Sequence, residues 1–186
     1  MIKGIHLDDA DKSNDINLIF HALDFASRAH EGVKRDDDSP YITHPISVLR
    51  ILVESPWPFK TEELAGAILH DVIEDTTTPF QKIKEKFNER VAALVWLLSK
   101  PKNIDMATEI YWSAIGECGP TVIAIKLADI YHNLTTCELE KDPSFAPKFK
   151  SKIKKYGLVL IEKLKCHGDC WHEYADWIGN KIKSKL

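Results

Sequence analysis

Residues 61–75 read Thr-Glu-Glu-Leu-Ala-Gly-Ala-Ile-Leu-His-Asp-Val-Ile-Glu-Asp, and this stretch decides the class of fold. Its apolar residues fall at helical spacing. Thr61 is placed to cap the start, and Glu62 and Glu63 follow in the first turn, where the helix dipole favours negative charge. A helix is expected from Thr61 to about Asp75. Its second half is otherwise apolar, yet carries His70, Asp71, Glu74 and Asp75 on two successive turns. Side chains four apart share a face, so such a helix sets His70 over Glu74 and Asp71 over Asp75. Taken alone, the pattern suits a solvated helix end with one satisfied core histidine.

Helical periodicity continues on both sides. Upstream, a helix is expected from near Asn14 through Leu18, Ala22, Phe25, Ala29 and His30, stopping at Gly32, a C-terminal cap. The charged segment Val33 to Pro45 contains two prolines and reads as a loop. Ile46 to Glu54 forms a short helix ended by Ser55-Pro56-Trp57-Pro58, whose prolines lack backbone donors and impose extended chain. Downstream, Pro79 opens a helix through Phe87, and Arg90 to Lys100, with Val91, Leu94, Val95, Leu97 and Leu98, reads as core. Further helices are expected at about Asp105 to Glu117, Pro120 to Leu139, Phe145 to Leu164 and Cys170 to Ile182, with Gly119 and Asp142-Pro143 as punctuation. No run of alternating β-branched residues bounded by hairpin turns interrupts them. The expected fold is all-α, a compact single-domain helical bundle over 1–186, with a motif-bearing core at about 18–137 and a helical extension at about 145–186.

The 186 residues are 44% hydrophobic and include five tryptophans, enough for a core that needs no disulfide or metal staple. Trp57, Trp96, Trp112, Trp171 and Trp177 are read as packing residues. With 25 basic and 28 acidic residues the formal net charge is -3, which gives no global attraction to nucleic acid or to an anionic membrane. No window approaches the roughly 18 to 20 apolar residues of a membrane span. Neither nucleic acid nor membrane is therefore expected as a partner, and a soluble, cytoplasmic protein is the default. The oligomeric state is left open, a homo-oligomer included. Four sparse cysteines suit reduced thiols. Cys166-x3-Cys170 with His167 and His172 lacks the paired spacing of a structural zinc site.

Two separate segments change the reading of His70 and Asp71. His44 precedes Pro45, and Asp129 closes the apolar run Ile123 to Ala128. Each alone is unremarkable, a loop histidine and a helix-face charge. Together the four form a two-histidine, two-carboxylate set suited to Mn²⁺, Fe²⁺, Zn²⁺ or Mg²⁺, with open positions for water and substrate.

Ala29-His30-Glu31-Gly32, Pro40-Tyr41-Ile42-Thr43-His44-Pro45, Leu69-His70-Asp71-Val72-Ile73-Glu74-Asp75-Thr76 and Lys126-Leu127-Ala128-Asp129 with His132-Asn133 resemble, in order and spacing, the motifs of the RelA/SpoT-type HD-domain hydrolases. The likeness covers roughly residues 18 to 137 and is to the small stand-alone hydrolases. It implies an HD-domain helical bundle, one divalent metal ion, commonly Mn²⁺, and removal of the 3′-pyrophosphate of guanosine tetra- or pentaphosphate, a small nucleotide partner. By motif, the metal ligands are His44, His70, Asp71 and Asp129, and the catalytic acidic pair is Glu74 and Asp75. Arg35 matches the cation beside the base, and Asn133 and Thr136 match residues lining the nucleoside pocket. Lys34 and Lys126 are placed to help with phosphate, and Tyr41 to shape the pocket. Asp36-Asp37-Asp38 stands where the family carries a basic residue followed by small ones, and Ile130 stands where it usually carries arginine. Three acids beside a polyphosphate repel it unless they face solvent. Another nucleotide substrate, or a nucleotide-binding module without turnover, are the alternatives.

Overall fold

A computed structural model of the chain describes residues 9–100 and 108–186, with side chains described from residue 14 onward. His6 and the beginning of the helix expected from Asp105 lie outside these residues. The described residues are helical, with a single isolated antiparallel bridge, Lys34 to Pro40, and no strand. No described helix is long and apolar enough to cross a membrane.

Helix α1 spans Asp9–Ala29, so it is already helical before Asn14. Gly32 adopts φ +77°, the left-handed conformation that ends helices, and His30 therefore sits in the closing turn, beyond the helix. Helix α2 spans Thr43–Val53 and begins earlier than expected. The Thr43 hydroxyl donates to the Pro40 carbonyl at 2.8 Å, and Pro45 falls in the first turn, where a missing N–H removes no intrahelical bond. His44 is thereby carried on a helix, not a loop.

The stretch at 61–75 differs from its expected form. Helix α3 is only Thr61–Ile68, and α4 is Val72–Asp75. The cap is Lys60, whose backbone N–H donates to Glu63 Oε2 at 2.9 Å, so Thr61 is already the first helical residue. Between the two helices Leu69 (φ -96°, ψ 0°) and Asp71 (φ -94°, ψ -7°) sit in the bridge region, and the helix axis is interrupted at the His-Asp pair.

Downstream, α5 (Phe80–Lys86) and α6 (Glu89–Leu98) are separated by Asn88, whose side chain caps α6 by accepting from Val91 N–H at 2.9 Å. Helix α7 spans Thr108–Gly116, and α8 spans Pro120–Thr136 with proline at its start, followed by a 3₁₀ turn at Cys137–Leu139. Helix α9 (Phe145–Lys152) runs through a π-helical turn at Ile153–Gly157 into α10 (Leu158–Lys165), and α11 is His172–Lys183.

Two apolar clusters share α3. One joins Ala22 and Ala26 of α1 with Ala65, Ile68, Ile83, Val91 and Val95; the other surrounds α8, whose residues Val122 to Ile125, Leu127 and Ala128 meet α2, α10 and α11. Burying each valine, leucine or isoleucine among them is worth about 1.5–3 kcal/mol, so these clusters carry the fold. Gly66 lets α3 lie against α6: a Cβ there would stand 3.0 Å from Leu94 Cβ. Tyr174 is fully buried and donates its hydroxyl to the Ala124 carbonyl at 2.9 Å, fastening α11 to α8. Trp112 and Trp171 are buried, with Trp57 stacked on Trp171 at 4.0 Å, but Trp96 and Leu97 face solvent and do not belong to the core expected for their segment.

Candidate metal centre

Three elements meet at one end of the shared α3. His44 comes from the first turn of α2, His70 and Asp71 from the interruption between α3 and α4, and Asp129 from the middle of α8. His44 Nε2 lies 3.2 Å from His70 Nε2, 3.2 Å from Asp71 Oδ2 and 3.2 Å from Asp129 Oδ1. His70 Nε2 lies 3.0 Å from Asp71 Oδ2 and 3.8 Å from Asp129 Oδ1. A coordination polyhedron with bonds of about 2.1 Å has edges of about 3.0–3.4 Å, so the spacing fits one divalent cation. The interruption of α3 matters here, because consecutive residues of a straight helix diverge by about 100° while His70 and Asp71 bring their tips together.

The surrounding hydrogen bonds fix which atoms face the centre. His70 Nδ1–H donates to the Ala67 carbonyl at 2.7 Å, leaving the Nε2 lone pair free to ligate. His44 Nδ1 and His132 Nδ1 are 2.7 Å apart, so a ligating His44 donates to His132. Asp129 is buried; its Oδ2 accepts from Lys126 Nζ at 2.8 Å and its Oδ1 from Asn133 Nδ2 at 2.6 Å. Burial acts to raise the Asp129 and Asp71 pKa values, but Lys126 and the two histidines outweigh it and hold both well below the usual carboxylate range. Burial likewise acts to lower His70, but the Asp71 and Asp129 charges push it up to about 10. Two histidines charged by two acids form the arrangement that a bound cation replaces.

The centre opens into a cleft of about 300 Å³ lined by Tyr41, His44, Asp71, Glu74, Asp75 and Asp129 on one side, with Lys100, Lys126, Asn133, Phe149 and Lys152 beyond. His70 and Glu74, expected on one face, take different partners, His70 Nδ1–H the Ala67 carbonyl. Glu74 Oε2 instead accepts the Lys100 backbone N–H at 2.7 Å, and burial raises the Glu74 pKa. Asp71 and Asp75 are joined as expected for one face, and through a third group: the Tyr41 hydroxyl lies 2.7 Å from Asp71 Oδ2 and 2.7 Å from Asp75 Oδ2. Burial, then the two carboxylates, pushes the Tyr41 pKa far up, so its proton stays in place.

Arg35, Asn133 and Thr136 also come together: Arg35 Nη2 donates to Thr136 Oγ1 at 3.0 Å and to Asn133 Oδ1 at 3.4 Å. Lys34 does not join them; it is exposed on the 34–40 bridge and does not line the cleft. The three aspartates have partners of their own, with Asp36 and Asp37 sharing a small pocket with Arg35 and Thr136. Asp37 caps its own turn through Ser39 N–H at 3.0 Å, Asp38 pairs with Lys141 at 3.4 Å, and Asp36 meets Glu140, whose pKa is raised to about 7 by burial and by that neighbour. Asp38 also adopts φ +64°, the left-handed conformation that small residues take most easily.

Two histidines belong to the site that motif reading left without a role or read only as part of a motif. His132 was legible as the residue one turn beyond Asp129 on the same helix. His30 is buried and stacks on Tyr41 at 4.4 Å, and its Nδ1 has no hydrogen-bond partner. Its signal lay in the same motif as Gly32.

The chain is similar to several known proteins. The HD-domain family profile matches residues 22–116, a span that includes His44, His70 and Asp71 but not Asp129. The bifunctional (p)ppGpp synthase/hydrolase SpoT of Escherichia coli is 40% identical over 159 residues, 81% of this chain and 22% of that protein. The guanosine-3′,5′-bis(diphosphate) 3′-pyrophosphohydrolase of Xenopus tropicalis is 33% identical over 126 residues, 66% of this chain and 70% of that protein. The chain thus spans under a quarter of the length of SpoT but most of the small frog protein. A solved structure described as a metazoan ortholog of SpoT that hydrolyses ppGpp superposes with a TM-score of 0.73, covering 98% of this chain and 100% of that one at 21% identity, which establishes the shared helical fold. The chain belongs to the HD-domain family, and within it to the RelA/SpoT-type hydrolase group.

Proposed function

We propose that this chain hydrolyses the 3′-pyrophosphate of guanosine tetra- or pentaphosphate, using one divalent cation, manganese in the first instance, held by His44, His70, Asp71 and Asp129. The observation that carries this reading is the convergence of their four ligand atoms, each within 3.8 Å of His70 Nε2 or His44 Nε2, beside the acids Glu74 and Asp75 in a single cleft. The names of the frog and Escherichia coli relatives point to the same substrate.

A cation bound there supplies Lewis acidity, making water a better nucleophile and polarising a phosphoryl oxygen. The remaining work falls to the chain's own groups. Water attacks the phosphorus nearest the ribose, the bond from phosphorus to O3′ breaks, O3′ takes up a proton, and pyrophosphate leaves with the new oxygen. Glu74, with its pKa raised by burial, is suited to holding and passing a proton. Asp75, fixed by the Tyr41 hydroxyl, orients the attacking water. Arg35 lies against Thr136 and Asn133, where its planar guanidinium can stack beside a purine. The acids at 36–38, engaged with Ser39, Glu140 and Lys141, leave the phosphate path to the lysines.

The test is product analysis of metal-stripped protein, with and without Mn²⁺, on guanosine tetraphosphate, a nucleoside triphosphate and a 3′-phosphorylated nucleotide. Guanosine diphosphate and pyrophosphate formed only with metal, and only from the first, is the expected result. Glu74→Gln with Asp75→Asn should abolish turnover and keep metal binding; retained turnover overturns the mechanism. Ile130 in the cleft wall, where the family usually has arginine, favours a second reading, the same chemistry on another nucleotide. The panel separates the two.

A further inference from the structure

Beyond the metal centre, three lysines among the described residues line the cleft, Lys100, Lys126 and Lys152, and of these Lys126 is ion-paired. Lys126 pairs with Asp129 at 2.8 Å. Neither Lys100 nor Lys152 forms a side-chain ion pair with another described residue. Lys152 Nζ rests 5.0 Å from the centre of the Phe149 ring, one turn back on α9, a soft contact from which an ammonium can swing to an anion. It is the last residue of α9 before the π-helical turn at Ile153–Gly157. Single π-turns mark sites where a helix changes phase, here between a segment that presents Phe149 and Lys152 to the cleft and one that buries Leu160, Ile161 and Leu164. The turn is tightly packed: a Cβ on Gly157 would come within 2.7 Å of Ile153 Cγ2. Desolvation by the cleft wall, and then the nearby Lys126 and Lys100 charges, keep the Lys152 pKa below its ordinary value against the opposing pull of Asp129.

Distances along α8 indicate which anion. At about 1.5 Å per residue, Thr136 lies about 10 Å from Asp129 in one direction, and Lys126 about 4.5 Å in the other. A nucleoside beside Arg35 and Thr136 therefore directs its 3′-phosphorus to the metal ligands, and whatever is attached beyond that phosphorus enters the lysine end. Resting on the hydrolase reading above, we infer that Lys152, with Lys100 and Lys126, forms a subsite for the second phosphate of the 3′-pyrophosphate and makes the chain select a 3′-diphosphate over a 3′-monophosphate.

Two measurements test it, one of them free of turnover. By calorimetry with Mn²⁺ present, inorganic pyrophosphate should bind the wild-type chain more tightly than inorganic phosphate. Lys152→Gln should weaken pyrophosphate about tenfold, the worth of one charge-assisted hydrogen bond, and move orthophosphate by less than about twofold. Lys152→Arg, which keeps the charge, should retain most of the preference, separating a lost contact from a damaged helix. In kinetics, kcat/KM for the guanosine 3′-diphosphate should fall in Lys152→Gln while that for the 3′-monophosphate does not. Equal loss of both anions, or loss of neither, overturns the subsite, and equal loss of both nucleotides assigns Lys152 to the 5′-phosphates. If the wild type hydrolyses neither nucleotide, the hydrolase reading fails while pyrophosphate binding still decides the subsite.

Discussion

His44 offers Nε2 to a cation only while its own proton sits on Nδ1, and His132 Nδ1, 2.7 Å away, is placed to accept that proton's hydrogen bond. Burial, followed by the His44 charge, depresses the His132 pKa to about 4, so His132 remains a neutral acceptor across the working range. Replacing such an outer partner costs metal affinity about 10–100-fold, and His132→Ala should show a loss in that range by calorimetry with Mn²⁺. His132→Asn, which can still accept through its amide oxygen, should recover part of it. The pH dependence has a defined sign. In the metal-free chain His70 has a pKa near 10, above its ordinary 6.5, so its charge stabilises the fold fully below about 6.5 and that contribution is lost as pH rises through 10. A cation must displace this proton. Metal affinity should therefore strengthen from pH 6 to pH 9, with proton release detectable by titrating in buffers of different ionisation enthalpy. At this scale the ligand types were legible from residue identity and motif order, whereas the role of His132 was not, because a histidine's tautomer depends on what stands against its other nitrogen.

At the scale of elements, Glu63 does more than begin a helix with negative charge. It is buried, caps α3 by accepting from Lys60 N–H at 2.9 Å, and accepts from Arg90 Nη2 and Thr121 Oγ1 at 3.1 Å each, joining α3 to α6 and α8. Glu63→Ala leaves these donors without an acceptor and should destabilise the chain by about 2 kcal/mol, while Glu63→Gln should cost less. For a chain of this size the loss corresponds to a fall in Tm of roughly 4–8 °C, readable by thermal denaturation. Sequence periodicity located α3, but not its end. Ala67 to Asp75 carries a helical pattern throughout, and propensity gives no reason to stop at Ile68. The interruption is stabilised by tertiary contacts, His70 Nδ1–H on the Ala67 carbonyl and Glu74 on the Lys100 backbone. The start of α2 was missed for the converse reason. Pro45 reads as part of a loop, although a proline in a first turn costs no helical bond.

Across the whole molecule, the metal centre lies where α2, the α3–α4 interruption and α8 meet, between the two apolar clusters that share α3. Binding there can occur only in the folded chain. Mn²⁺ at about 100 times its dissociation constant should therefore add about 2.7 kcal/mol, a rise in Tm of roughly 5–10 °C. The rise should vanish in His70→Ala and be smaller at pH 6 than at pH 8; an unchanged Tm in the wild type counts against a folded-state cation site. The sequence by itself determined the all-α class, the positions of most helices, the order of four motifs and the donor chemistry they hold in common, because these depend on periodicity and residue type. It could not determine how His44 and Asp129, 84 intervening residues apart in the chain, close to 3.2 Å, nor that Asp36 to Asp38 turn toward Ser39, Glu140 and Lys141. Those outcomes belong to the tertiary structure, since a charge repels or serves according to what lies beside it, and only packing decides its neighbours.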